Sequence, residues 1–207
     1  MSLMTLLIFI PACFALNMTP GPNNLMAMAN AKHYSFRTAC YAGLGRLLAF
    51  VGMITLTAMG LATVLHTSAL LFLVIKVVGG FYLLWLAYQL WHAEVSADES
   101  EAINETSLFR LARREFLMAA GNPKAILVFT AFLPQFIDPS ASVGAQFFVL
   151  GSLFLLLEWL AIACYAYFGV ALRDWFARPA MRTLFNRLCA GFLSSAGIGL
   201  LLARKEV

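Results

Sequence analysis

The chain has 207 residues, 62% of them hydrophobic and 12% charged, with a formal charge of +4 and a mean hydropathy of +0.83. A soluble domain carries about 25% charged residues, so this composition points to an integral membrane protein and leaves a soluble all-helical core as a remote alternative. The basic residues that raise the pI to about 9.0 stand in short connections between apolar runs. There they set orientation in a bilayer and do not indicate nucleic acid.

Apolar residues run for about 20 positions at a time without strict alternation, which predicts spanning helices and not barrel strands. Six spans follow, at about 3–31, 39–65, 68–92, 115–137, 144–172 and 187–203. The fold class is therefore all-α and polytopic, a single transmembrane domain over 1–207. The N-terminus lacks the basic region of a secretory signal, and Ile10-Pro11-Ala12-Cys13 resembles a lipoprotein cleavage site only faintly, so the first run is read as a mature helix.

That first span is interrupted by Asn17-Met18-Thr19-Pro20-Gly21-Pro22-Asn23-Asn24. A proline removes a donor and clashes with the preceding turn, so two of them around a glycine open the helix. In hydrocarbon each freed backbone group costs several kcal/mol, and such a break persists only where protein or a wet cavity surrounds it.

Connections 32–38, 93–114 and 173–186 hold Lys32, Arg37, Arg110, Arg113, Arg114, Arg173, Arg178 and Arg182, whereas 66–67 and 138–143 hold no Lys or Arg. The positive-inside rule makes the first set cytoplasmic and puts both termini outside, against the weaker vote of Arg204-Lys205. The long connection passes from an acidic linker, Glu94 to Glu101, to a basic interfacial lead-in, Arg110 to Arg114, with Ser107 as its cap. Segment 173–186, with Trp175, Phe176 and Phe185 among arginines, reads as an amphipathic piece on the cytoplasmic leaflet.

A second interruption, Gly121-Asn122-Pro123-Lys124, places Pro123 103 residues after Pro20, each in the first span of a three-span set. An odd number of spans per repeat inverts the copies, 1–92 and 115–207 around linker 93–114, so the broken helices enter from opposite sides and meet near the midplane. Gly80-Phe81 and Gly191-Phe192 are a weaker echo. A helix that restarts offers N–H groups and one that stops offers carbonyls. A zwitterion needs both. Its carboxylate suits the amides near Asn23, Asn24 and Ala125, and its ammonium suits carbonyls or an acid. Asn17, Asn23, Asn24 and Asn122 both donate and accept without fixed charge. The plainer alternative is that these residues only satisfy their own broken backbone.

Thr19-Pro20-Gly21-Pro22-Asn23, Asn122-Pro123-Lys124-Ala125 and Phe132-Leu133-Pro134-Gln135-Phe136 resemble the LysE/RhtB family of amino-acid exporters, over the whole chain in length, span count and motif position. The resemblance implies an inner-membrane carrier that moves amino acids or close derivatives out of the cytoplasm in exchange for protons. Export direction rests on this resemblance alone. The short, neutral flanks look more like the homoserine/threonine-type branch than the basic amino-acid branch.

Arg46, Lys76, Lys124 and Glu158 are ionisable residues within spans, each costing about 2.5–3.5 kcal/mol at a helix centre. Glu158 is read as the proton-coupling group or ammonium partner, since a buried carboxyl can hold a proton. Its alternative is a structural salt bridge to Lys124 or Arg46. Lys124 suits a substrate carboxylate, a role the family motif favours, or else caps exposed carbonyls. Arg46 and Lys76 lie about 10–12 Å from their nearer helix ends, close enough to snorkel. Arg46 follows Gly43-Leu44-Gly45, whose small residues allow close contact and leave it a pocket role. Gly191, Ser195 and Gly199 form a small-residue stripe that suits packing within the chain or a homodimer. Cys13, Cys40, Cys164 and Cys189 lie in or beside apolar segments without metal-ligand spacing and read as small hydrophobes. The tryptophans Trp85, Trp91 and Trp175 read as interfacial anchors. No cofactor, metal or ATP-binding loop is implied. The competing readings are a passive channel or assembly factor, and an intramembrane enzyme pairing Glu158 with His33, His66 or His92, all of which stand at span edges.

Overall fold

The computed structural model describes residues 3–67, 107–171, 179–202 and scattered positions between 74 and 92. The third predicted span, with Lys76 and Gly80, lies largely outside the described residues. So do linker 93–106, segment 172–178 with Trp175, and the tail Arg204-Lys205.

The first apolar run forms α1 (Leu3–Met18) and stops at Thr19-Pro20-Gly21, after which α2 (Pro22–His33) departs at 63°. Pro22 opens α2 at the position where a missing N–H costs nothing. Helix α3 runs from Phe36 to Thr67. Helix α4 (Leu108–Ala120) ends at Gly121, and α5 (Pro123–Leu127) restarts at 59° and continues as a π-turn, Val128–Phe132, and a 3-10 turn, Leu133–Phe136. Helices α6 (Val143–Ala171) and α7 (Pro179–Leu202) complete the described elements. All the described elements are helices; two are long and apolar enough to span a bilayer, and each of the two bent pairs, taken together, is long and apolar enough for one further broken span.

Three boundaries depart from the pattern read off the sequence. Helix α4 begins seven residues before the expected span, so the basic lead-in belongs to the broken helix itself. Ser107 does start it, but through its carbonyl, which accepts from the amides of Arg110 and Leu111, and not through its hydroxyl. Residues 179–186 are the first turns of α7 and not a separate surface piece. The restarts align on Gly21-Pro22 and Asn122-Pro123, so Pro123 matches Pro22 and not Pro20.

Large apolar side chains cover the outside: Phe109 is 76% and Phe148 77% exposed. Lipid, not water, is the solvent that tolerates this. Trp85 and Trp91 are exposed as well, with the Arg187 guanidinium 5.3 Å from the Trp91 ring centroid. All four cysteines are free thiols.

Inside, α3 packs against α4 and α6, and α2 against α6. Glycines set the closest approaches. A Cβ on Gly45 would stand 1.9 Å from the carbonyl oxygen of Ala112 in α4, one on Gly169 2.4 Å from that of Met28 in α2, and one on Gly43 2.9 Å from the Ile162 side chain. Gly191 has open space, and it and Ser195 face outward. Because the clash at Gly45 is with backbone, Gly45→Ala must push α3 from α4. The expected destabilisation is at least about 1–3 kcal/mol, read as a lowered melting temperature in detergent. Gly52→Ala, with nothing within 4 Å in the interior of the same helix, should not lower it and can raise it slightly.

Candidate functional site

The end of α1 leaves carbonyls that no following turn can satisfy, and each finds a donor. Ala15 O accepts from the Thr19 hydroxyl at 3.0 Å, Leu16 O from the Thr19 amide at 3.2 Å and from Lys124 Nζ at 3.0 Å. Asn17 O accepts from Asn24 Nδ2 at 2.7 Å and Met18 O from the Tyr165 hydroxyl at 2.8 Å. Thr19 O accepts from Asn24 Nδ2 at 2.9 Å and Lys124 Nζ at 3.1 Å. The Lys124 ammonium thus lies on the carbonyl end of the other broken helix.

The restarting ends are treated differently. Asn122 caps α5, its Oδ1 accepting from the Lys124 amide at 3.0 Å, while its Nδ2 donates to Asn23 Oδ1 at 2.8 Å and ties the two breaks together. Gly21 has no side chain to cap α2, and the amides of Asn23 and Asn24 have no partner among the described residues. Both belong to the first turn of α2, and both residues line the space between the breaks.

Beside the breaks lies Arg46, fully buried. It turns inward and does not snorkel. Its Nε and Nη2 donate to Glu115 Oε2 at 3.0 and 2.9 Å, and its Nη1 donates to Asn24 Oδ1 and Glu158 Oε1, both at 2.9 Å. The second Nη2 hydrogen goes to the Asn23 carbonyl. All five guanidinium donors are used. Glu115 Oε1 accepts from Asn30 Nδ2 at 3.4 Å, and the Glu115 carbonyl from Asn23 Nδ2 at 3.5 Å. One guanidinium thereby ties α2, α4 and α6 to α3. Gly45 makes this possible, since the backbone contact with Ala112 brings Glu115, about one turn on, within reach.

A small cavity, with room for water centres over about 40 Å³, opens between the breaks. Its polar wall holds Asn17, Gly21, Asn23, Asn24, Asn122, Lys124 and Glu158; its apolar wall holds Leu16, Phe50, Ala125, Val128 and Phe154. Phe50, Phe129 and Phe154 stack edge to face at 4.9–5.8 Å, and Phe9, Phe132 and Phe136 form a second aromatic group. Glu158 spends one oxygen on Arg46, and its Oε2 accepts from no described residue. Two cations, Arg46 and Lys124, stand against two carboxylates, Glu115 and Glu158.

Of the residues singled out in sequence, Thr19, Pro20, Pro22 and Arg46 shape the site without lining the cavity, and the Pro123 side chain lies outside the described set. Asn17 donates to Phe154 O at 3.5 Å and Cys13 Sγ at 3.8 Å. His33 and His92 are exposed, so neither pairs with Glu158. Sequence reasoning passes over Glu115 and Asn30. Glu115 shares the buried stripe of Leu111 and Ala119 at four-residue spacing, and an acid on the apolar stripe of an amphipathic helix is the signal that marks it. Asn30 stands seven residues after Asn23, on the same helical face.

Broken spans that meet at a polar, charge-balanced cavity within an apolar bundle are the arrangement in which membrane transport proteins hold their solutes. Residues 14–205 match the LysE type translocator family, and the chain belongs to it. It is 28% identical over 190 residues to the homoserine/homoserine lactone efflux protein of Salmonella typhi, covering 91% of this chain and 92% of that one. It is 33% identical over 187 residues to an uncharacterized membrane protein of Pseudomonas aeruginosa, at 86% and 82% coverage, and 28% identical over 197 residues to one of Vibrio cholerae, at 95% of each. No solved structure matches the chain.

Proposed function

We propose that this translocator exports an amino acid or a close derivative across the bacterial cytoplasmic membrane, by proton antiport with alternating access of two inverted halves. The observation that carries this reading is the cavity's division of labour. The unpartnered Asn23 and Asn24 amides and the Lys124 ammonium suit a carboxylate or carbonyl, and Glu158 Oε2 suits an ammonium. The Salmonella relative's name supports homoserine-like cargo. In this reading the basic connections face the cytoplasm and both termini lie outside.

The test is exchange in proteoliposomes with a panel of labelled amino acids, including homoserine and its lactone, under an imposed pH gradient. Accumulation against the solute gradient that collapses when the pH gradient is dissipated is the expected result. Movement only down the solute gradient would identify a passive channel. No movement of any panel member by demonstrably folded protein would end the amino-acid reading.

A further inference from the structure

Two buried carboxylates share Arg46, and they are placed differently. Glu158 lines the cavity, with Oε1 on Arg46 and Oε2 unclaimed by any described residue. Glu115 is fully buried outside the cavity, takes two of the five guanidinium hydrogens on Oε2, and has its other oxygen held by Asn30. We propose that Glu115 is a positioning residue, the fixed counter-ion that keeps Arg46 bonded across α2, α3 and α4 while Glu158 exchanges between Arg46 and the ammonium of the solute. This rests on the amino-acid reading above and assigns the step by which an occupied cavity reaches the helix clamp.

The chemistry follows from the charges present. Around these two acids the cations are Arg46 and Lys124, and Lys124 already sits on the Leu16 and Thr19 carbonyls. A solute ammonium entering the cavity therefore meets Glu158 as the carboxylate with a free oxygen. As that carboxylate turns to the solute, its bond to Arg46 Nη1 weakens, and α6 is released from the clamp. Arg46 keeps Glu115, Asn24 and the Asn23 carbonyl, so α2, α3 and α4 stay together. Without the Glu115 carboxylate the guanidinium loses the partner of both Nε and one Nη2 hydrogen, and α4 drops out of the ion-pair clamp with no solute present.

The experiment uses the full chain, with labelled homoserine or whichever panel member the wild-type protein exchanges fastest. Binding is measured in detergent, and exchange and net leak in proteoliposomes. Glu158→Gln should weaken binding at least tenfold. Glu115→Gln should hold binding within about threefold of wild type while raising the ratio of net leak to exchange at least tenfold, and Glu115→Asp should restore most of the ratio. Should Glu115→Gln fail to accumulate, Asn30→Ala, which removes the donor to Glu115 Oε1, should raise the same ratio. Equal loss of binding in Glu115→Gln and Glu158→Gln, or an unchanged ratio in Glu115→Gln or its Asn30→Ala substitute, overturns the proposal. A wild-type protein that moves no panel member removes the functional reading beneath it instead.

Discussion

Arg46→Met is expected to abolish accumulation of folded protein, not transport alone. Removing the guanidinium leaves Glu115 and Glu158 buried at 0% and 4% exposure with their shared counter-ion gone. Breaking a buried pair from one side costs about 3–5 kcal/mol, and here two pairs break at once. That approaches the whole stability of a typical domain. Arg46→Lys should rescue only in part, because an ammonium offers three hydrogens where five are used, and as a point charge it cannot fork to Glu115. Size-exclusion of detergent-solubilised protein and its melting temperature check both. A triple variant, Arg46→Met with Glu115→Gln and Glu158→Gln, should recover folded protein that does not transport, since neutral partners carry a far smaller burial cost. Folded, transporting Arg46→Met would show that the ion pairs are dispensable.

Lys124→Met, by contrast, should fold and fail to bind. Both carbonyls that Lys124 covers have a second donor: the Thr19 amide on Leu16 O, and Asn24 Nδ2 on Thr19 O. The break therefore survives its loss at a cost of about 1–2 kcal/mol, the scale of one or two net hydrogen bonds. The cavity loses a cation beside the open Asn23 and Asn24 amides, and affinity for a carboxylate-bearing solute should fall at least tenfold. Equilibrium binding and melting temperature, measured on the same preparation, separate the two readings of this lysine. Unfolding with no measurable soluble fraction would make it a structural cap only.

The breaks are legible in the sequence because two prolines around a glycine, or a proline after Gly-Asn, interrupt the backbone ladder of any apolar helix that contains them. The asparagines are legible because uncharged donors and acceptors cluster there. The close contact at Gly43 and Gly45 is also readable from small residues at the right spacing. Arg46 is not, since distance to a helix end says how far a side chain can reach and nothing about which way it turns. That direction is set by Glu115, which the pattern puts at a span boundary because three arginines nearby suggest an interface. The true start of α4, seven residues earlier, carries the same acid into the bundle. The matching of the two breaks shifts for a related reason. Three positions, Pro20, Pro22 and Pro123, compete for one alignment, and only cap geometry identifies which two open a helix.

The donors at the end of α1 come from two distances along the chain, and synthesis separates them in time. Thr19 and Asn24 belong to the same bent pair as the carbonyls they cover, so these bonds can form once α1 and α2 have left the ribosome. The oxygen of Met18 waits for Tyr165, and the extra bonds of Leu16 and Thr19 wait for Lys124. Until some 165 residues have been translated, the nascent N-terminal half carries an incompletely covered backbone in the membrane. The expected consequence is a consolidation step late in biogenesis, in which the late-made half closes the early one, and a chain truncated before Tyr165 should be degraded faster than the full-length protein.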